Sequence, residues 1–296
     1  MTVQKIGPRE FEWGAHTIVM GILNITPDSF SGDGLLNSPP LAGGSGGGLA
    51  QARTFLAAGA EILDVGGEST RPGAQPVSAE QELERVLPVI RAIAAEFPEA
   101  VISIDTYKAI VAEEALKAGA HLVNDVWGLR ADPALSAVVA QHNVPVVLMH
   151  NRSKAANAEV RAHLGGRYIG MEYQDLIAEV KAELMESVQG ARATGIPDEH
   201  IILDPGIGFG KTVEQNLALL NRLDEIRALG FPVLLGPSRK SLIGYTLNLP
   251  PDQRVEGTAA AVAIGIARGA DIVRVHDVEV MVRVAKMTDA IVRQKR

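Results

Sequence analysis

Two carboxylates close otherwise apolar runs in this chain: Asp105 ends the run 100–105 and Asp204 the run 200–204. A carboxylate at such a place is costly to bury unless donors meet it, and a ligand offering adjacent N–H groups would supply them. Asn124 and Asp125 stand near the end of a third apolar run, 121–126. The segment GPSRKS at 236–241 ends a fourth in hydroxyls and two adjacent cations, which cannot enter a core and so line a rim. The plain alternative there is a solvated basic loop. Arg274 and His276 lie two apart on a strand and hence share a face, and a charged Arg aimed into a core implies an anion. Arg71 follows GGEST at 66–70, whose glycines let the backbone approach a ligand closely. Taken singly, an Asp or Asn after a strand is as readily a helix cap. Several on one rim favour binding.

Other chemistries fit less well. The segment PGIGFGKT at 205–212 nearly spells a phosphate-binding loop, but Pro205 stands where that loop needs Gly and lacks the amide N–H it uses. No His-Glu-x-x-His or other close spacing occurs among the 7 histidines, which argues against a dedicated zinc site. A Ser–His–Asp triad is compatible with composition, yet the one Gly-x-Ser-x-Gly match, GGSGG at 43–47, falls in a Gly-rich stretch and does not follow an apolar strand run as a nucleophile elbow must.

The elements that must position these residues alternate. Short β-branched runs at 17–24, 60–65, 100–105, 121–126, 144–150, 200–204, 232–236 and 271–276 predict eight strands. Segments with helical spacing at 49–58, 79–96, 109–118, 133–142, 172–194, 213–229, 257–268 and 277–292 predict eight helices between and after them. This order predicts a single (β/α)8 TIM barrel, with an open doubly wound sheet as the alternative. Gly59, Gly119, Gly230 and Gly269, each between a helix and the next strand, read as helix C-terminal caps. The polar residues collect instead at the C-terminal ends of the strands, where barrel enzymes place their chemistry. The longest connections on that side are 25–48, 66–78 and 151–171; within the first, 41–48 is Gly-rich and expected to be mobile.

Length and composition agree. The 296 residues suit one barrel of about 250 residues with added loops, so 1–296 reads as one domain, with 1–16 as a segment before the first strand. Hydrophobic residues make up 47% and aromatics 4%, as expected for parallel strands buried on both faces. A net charge of -7 implies no general attraction to nucleic acid or to an anionic membrane surface. Cysteine is absent, and no signal-peptide-like or membrane-spanning run is apparent, so a soluble cytoplasmic protein is expected.

Eight motifs together resemble the dihydropteroate synthases, members of the pterin-binding enzymes. They are GILNITPDSFS at 21–31, DVGGESTRPGA at 64–74, ISIDT at 102–106, Asn124-Asp125, LMH at 148–150, DPGIGFGK at 204–211, SRKS at 238–241 and RVH at 274–276. The first two are long and specific, and the set spans nearly the whole chain. The resemblance implies displacement of pyrophosphate from 6-hydroxymethyl-7,8-dihydropterin diphosphate by 4-aminobenzoate, with Mg2+ on the diphosphate and C–O cleavage ahead of attack. It implies that Asp105, Asn124, Met149, Asp204 and Lys240 surround the pterin, and that Asn24, Arg71, Arg274 and His276 hold the diphosphate. Thr70, Pro72, Phe209 and Ser238 would line the 4-aminobenzoate pocket. Asp105, Asp204, Lys240, Arg274 and His276 would carry catalysis, Asn24 would ligate the metal with Asp33 as a second candidate, and the chain would pair as a homodimer.

The chain departs from the family pattern twice. Its first loop reads SFSGDG at 29–34 where SFSDGG is common, which moves the acid assigned to metal and loop closure by one position, to Asp33. After the fifth strand it reads LMHNR at 148–152 where Met-His-Met is commoner, which alters the pterin wall around Met149. Two other functions share the fold: a pterin-binding methyltransferase with a corrinoid partner, and a non-catalytic binding protein. Neither explains cations at 238–240 and 274–276 facing a diphosphate.

Overall fold

A computed structural model describes residues 3–25, 45–69, 75–169 and 171–293. The expectations for Asp33, Thr70, Arg71 and Pro72, and for most of the connection 25–48, fall outside these residues. The chain opens with an antiparallel hairpin, β1 (Val3–Ile6) and β2 (Arg9–Glu12). Then come β3 (Ile18–Asn24), α1 (Ser45–Ala58), β4 (Ile62–Gly66), α2 (Ala79–Glu96), β5 (Val101–Asp105), α3 (Ala109–Lys117), β6 (Leu122–Asp125), α4 (Leu135–His142) and β7 (Val146–Met149). A second hairpin, β8 (Ala158–Arg161) with β9 (Gly165–Tyr168), precedes α5 (Leu176–Ala193) and β10 (Ile201–Asp204). The remainder is α6 (Val213–Asn221), α7 (Leu223–Arg227), β11 (Leu234–Leu235), α8 (Ser241–Leu247), α9 (Val255–Ala267), β12 (Ile272–Val275) and α10 (Val278–Val292).

Eight strands pair in parallel in the order β10-β7-β6-β5-β4-β3-β12-β11. A parallel bridge between Leu203 and Val233, with the Leu203 N–H donating to Pro232 O at 2.9 Å, joins the two ends. The sheet is a closed (β/α)8 barrel, and every predicted strand contributes to it. Gly59, Gly119, Gly230 and Gly269 all take positive φ, as helix caps require.

Side chains alternate along each strand, so residues two apart share the interior. The lower interior is apolar: Ile18, Met20, Ile62, Val101, Leu122, Val147, Ile202, Leu234 and Ile272 form one cluster with Ile6, Phe11 and Trp13. The first hairpin therefore caps the floor of the barrel. It is anchored where Trp13 Nε1 donates to Gln4 Oε1 at 3.1 Å, and beside it the Thr17 hydroxyl donates to Asp289 of α10 at 2.7 Å.

Several expectations need correction. The segment 1–16 carries a hairpin; its 4-residue strands are too short to show a period. The connection 151–171 likewise contains β8 and β9. Helix α1 begins at Ser45, so the Gly-rich stretch is helical from that residue onward. The predicted helix 213–229 breaks at Arg222 (φ −112°, ψ 26°) into α6 and α7. Helix α8, only 7 residues, was not expected, and it starts directly after Lys240. Among the described residues no helix is long and apolar enough to cross a membrane.

Candidate functional site

One step of two residues beyond the apolar floor, the same inward positions become polar: Ile62 gives way to Asp64, Val101 to Ser103, Leu122 to Asn124, Ile202 to Asp204 and Ile272 to Arg274. The ladder aligns Asp105 with Asn124, Gly66 with Asp105, and Asp204 with Met149. Asp105, Asn124, Met149, Asp204 and Arg274 therefore meet at the carboxyl end of the barrel, as the sequence predicted.

Arg274 corrects one step of the sequence argument. Its inward charge is met by two carboxylates of the chain, with Nε on Asp64 and Nη2 on Asp105. Asp105 thus has a protein donor as well. Burial lowers the affinity of Arg274 for its proton, but Asp64 and Asp105 more than offset this and raise its pKa. Burial pushes Asp105 up to about 7; Arg274 opposes the rise and the Asp64 carboxylate adds to it. Asp64, fully buried, is not singled out by the sequence, because it stands inside its apolar run and does not close it. Its Oδ2 accepts from Asn124 Nδ2 at 3.0 Å, while its Oδ1 and the Ser103 hydroxyl are buried without a partner among the described residues.

Asp204 accepts the Gly206 N–H at 2.7 Å, and burial raises its pKa against the pull of Lys240. Lys240 sits at the N-terminus of α8, where its ammonium donates to Ile207 O and lies 4.5 Å from the centre of the Phe209 ring. Burial lowers the Lys240 pKa to about 8, with Asp204 raising it in opposition. Ser238 Oγ accepts the His276 backbone N–H at 3.1 Å and lies 2.9 Å from its ring Nδ1. Asn24, half-buried, pairs with Gly66 at the rim. Asp125 by contrast is structural: it accepts from Trp127 N at 2.8 Å and Leu129 N at 2.6 Å.

Supporting groups surround this cup. Lys108 pairs with both Glu68 and Glu82, tying the start of the second loop to α2 and to the segment after β5. Arg254, 2% exposed, donates to Leu249 O at 2.9 Å, Arg239 O at 2.9 Å and Leu164 O at 2.8 Å, joining the 238–240 segment to the second hairpin. The segment 205–212 does not form a phosphate cradle, because the Lys211 ammonium turns inward to protein acceptors.

A closed α/β barrel with acids, amide and cations converging at the carboxyl ends of its strands belongs to the class of barrel enzymes that take a small polar ligand into that cup. Comparison with known proteins narrows the class. The profile of the family described as "Pterin binding enzyme" matches residues 20–276. A dihydropteroate synthase of Clostridium beijerinckii is 50% identical, over 98% of this chain and 100% of its own length. The structure of the Yersinia pestis dihydropteroate synthase in complex with a sulfonamide drug superposes with a TM-score of 0.87 at 37% identity, covering 99% of this chain and 100% of that one. The Xanthomonas albilineans dihydropteroate synthase with 4-aminobenzoic acid gives 0.85 at 38% identity, over 98% of both chains. The chain belongs to the pterin binding enzymes, and within them to the dihydropteroate synthase family.

Proposed function

We propose that this enzyme condenses 6-hydroxymethyl-7,8-dihydropterin diphosphate with 4-aminobenzoate to give 7,8-dihydropteroate and pyrophosphate. The observation that carries the reading is the inward layer of Asp64, Asp105, Asn124, Asp204 and Arg274 above a sealed apolar floor. A pterin presents several N–H donors and ring acceptors in one plane, and this layer offers the complementary set. Asp204 and Asp105 accept from the N–H edge, Asn124 adds an amide, Met149 packs on the ring and Lys240 donates to it. On binding, Lys240 exchanges Ile207 O for the pterin. Asp105 likewise releases Arg274, which turns with His276 and Asn24, and with Arg71 from the second loop, toward the diphosphate.

The aromatic amine is neutral at pH 7 and needs no strong base. The chain's task is to stabilise charge separation as the C–O bond breaks: cations hold the leaving diphosphate, while Asp105 and Asp204 face the electron-poor ring. The new C–N bond then forms and the amine nitrogen loses a proton. Thr70, Pro72, Phe209 and Ser238 form the 4-aminobenzoate pocket in this assignment.

The donor chemistry at the rim suits Mg2+, which takes oxygen ligands, retains water and is held through one or two protein groups plus substrate phosphates. Asn24 supplies one neutral oxygen and Asp33 is the second candidate; the ion would neutralise charge on the departing diphosphate. The same reading makes 1–296 one pterin-binding domain in the cytoplasm. A homodimer would form through the outer wall, where Ile264 of α9 and Met287 and Ile291 of α10 are exposed apolar residues. Incubating the protein with both substrates and Mg2+ tests the reading: pyrophosphate is released only when both are present.

A further inference from the structure

Lys211 is a buried cation with no part in the chemistry described above. Its side chain runs inward, 2% exposed, and the three hydrogens of its ammonium meet three acceptors: Gly206 O at 3.0 Å, Phe209 O at 3.1 Å and His150 Nδ1 at 2.8 Å. An accepting Nδ1 leaves the imidazole proton on Nε2, and Nε2 faces the Glu183 carboxylate at 3.2 Å, which favours that tautomer. Burial, and the neighbouring Lys211 charge, keep the ring neutral, with a pKa near 4. Burial lowers the Lys211 pKa to about 7 against the pull of Asp204, and in its ammonium form Lys211 donates along all three directions.

What it holds is a glycine-rich turn whose other ties include the Phe209 N–H donating to Gly206 O at 3.1 Å, the Gly208 N–H donating to Asn216 Oδ1 at 2.7 Å and the Gly206 N–H donating to Asp204. Gly206, Gly208 and Gly210 take φ of +71°, +83° and +60°, and a glycine-rich backbone of this kind is loose unless tied. The two carbonyls bound by Lys211 bracket Ile207 and Gly208. The bracketed Ile207 O receives the Lys240 ammonium, and the Phe209 ring lies against that same ammonium. Space is tight as well: a Cβ on Gly206 would come within 1.9 Å of His150 O.

We propose that Lys211 is a positioning residue for the second substrate: by holding the carbonyls of Gly206 and Phe209 it sets the Phe209 ring as a wall of the 4-aminobenzoate pocket, without touching either substrate. The inference rests on the pocket assignment proposed above. The pterin depends on it far less, because Asp105, Asn124 and Asp204 sit on strands fixed by the ladder and Lys240 leaves Ile207 O when the pterin arrives.

Steady-state kinetics of the full-length Lys211→Met variant, read as pyrophosphate release, test it. KM for 4-aminobenzoate should rise about tenfold or more while KM for the pterin diphosphate stays within about threefold, a split that a general loosening would not produce. His150→Phe removes one acceptor and keeps a ring, and should give the same split at smaller size; it carries the test if Lys211→Met does not fold, which a thermal melt reveals. Equal rises in both KM values, or an unchanged KM for 4-aminobenzoate in a folded variant, overturn the inference. A wild-type protein that releases no pyrophosphate overturns the proposed function and this inference with it.

Discussion

Ile62 and Asp64 lie two residues apart on β4 and share one face, yet Ile62 packs among Met20, Val101 and Trp13 while Asp64 accepts from Asn124 and Arg274. The same contrast repeats on β5, β6, β10 and β12. The floor gains stability from burying aliphatic carbon. The cup holds charge at a cost, visible in the raised pKa values of Asp105 and Asp204 and the lowered value of Lys240. Stability and binding are thus separated by one period of the strand, and substitutions in the two layers should have separable effects.

The largest effect is expected in the cup. Arg274→Ala leaves Asp64 and Asp105 without their shared cation, and removing one partner of a buried pair costs about 3–5 kcal/mol. Calorimetry should show diphosphate substrate and pyrophosphate binding far more weakly, with a pterin lacking the diphosphate nearly unaffected; loss of both would remove Arg274 from the anion site. In the floor, Met20→Ala should lower the unfolding free energy by about 2–5 kcal/mol in urea and leave both KM values unchanged. A change in either KM would break the separation of layers. Asp204→Asn should weaken a pterin analogue by about 1–3 kcal/mol, and 4-aminobenzoate much less, since one acceptor becomes a donor facing donors. Wild-type affinity would displace Asp204 from the pterin.

The smallest effect concerns pH. Asp105 has a folded pKa near 7, above its ordinary value of 3.8, so between these limits the folded protein binds more protons than the unfolded chain. Its contribution to stability is present at low pH and is lost as pH rises toward about 7. His150, lowered to about 4, acts with the opposite sign up to its ordinary 6.5 and is common to wild type and variant. The difference in Tm between wild type and Asp105→Asn should therefore shift against the wild type across this window. A flat difference would mean that Arg274 keeps Asp105 ionised throughout.

The barrel was legible because its signal is repetitive: eight apolar runs, eight helical periods and Gly caps where the chain turns back. The rim residues were legible because several polar groups end apolar strands on the same side of the barrel, where one alone would read as a helix cap. Asp64 escaped because it lies inside its strand rather than at the end, where only the inward register betrays it. The roles of Lys211 and Arg254 escaped because, His150 aside, the acceptors described for them are backbone carbonyls, which no sequence pattern marks. The two hairpins and α8 escaped because four to seven residues are too few to establish a period.

The hairpin of β1 and β2 has a kinetic consequence. With the floor sealed, molecules enter and leave by one mouth, and a vessel of that kind fills and empties like a stack. The pterin, placed as proposed against the strand ends, must arrive before 4-aminobenzoate, whose Phe209 wall stands on the turn above β10. A saturating concentration of 4-aminobenzoate added first would then block the way down, and substrate inhibition by the amine, relieved by excess pterin diphosphate, would record the order of arrival.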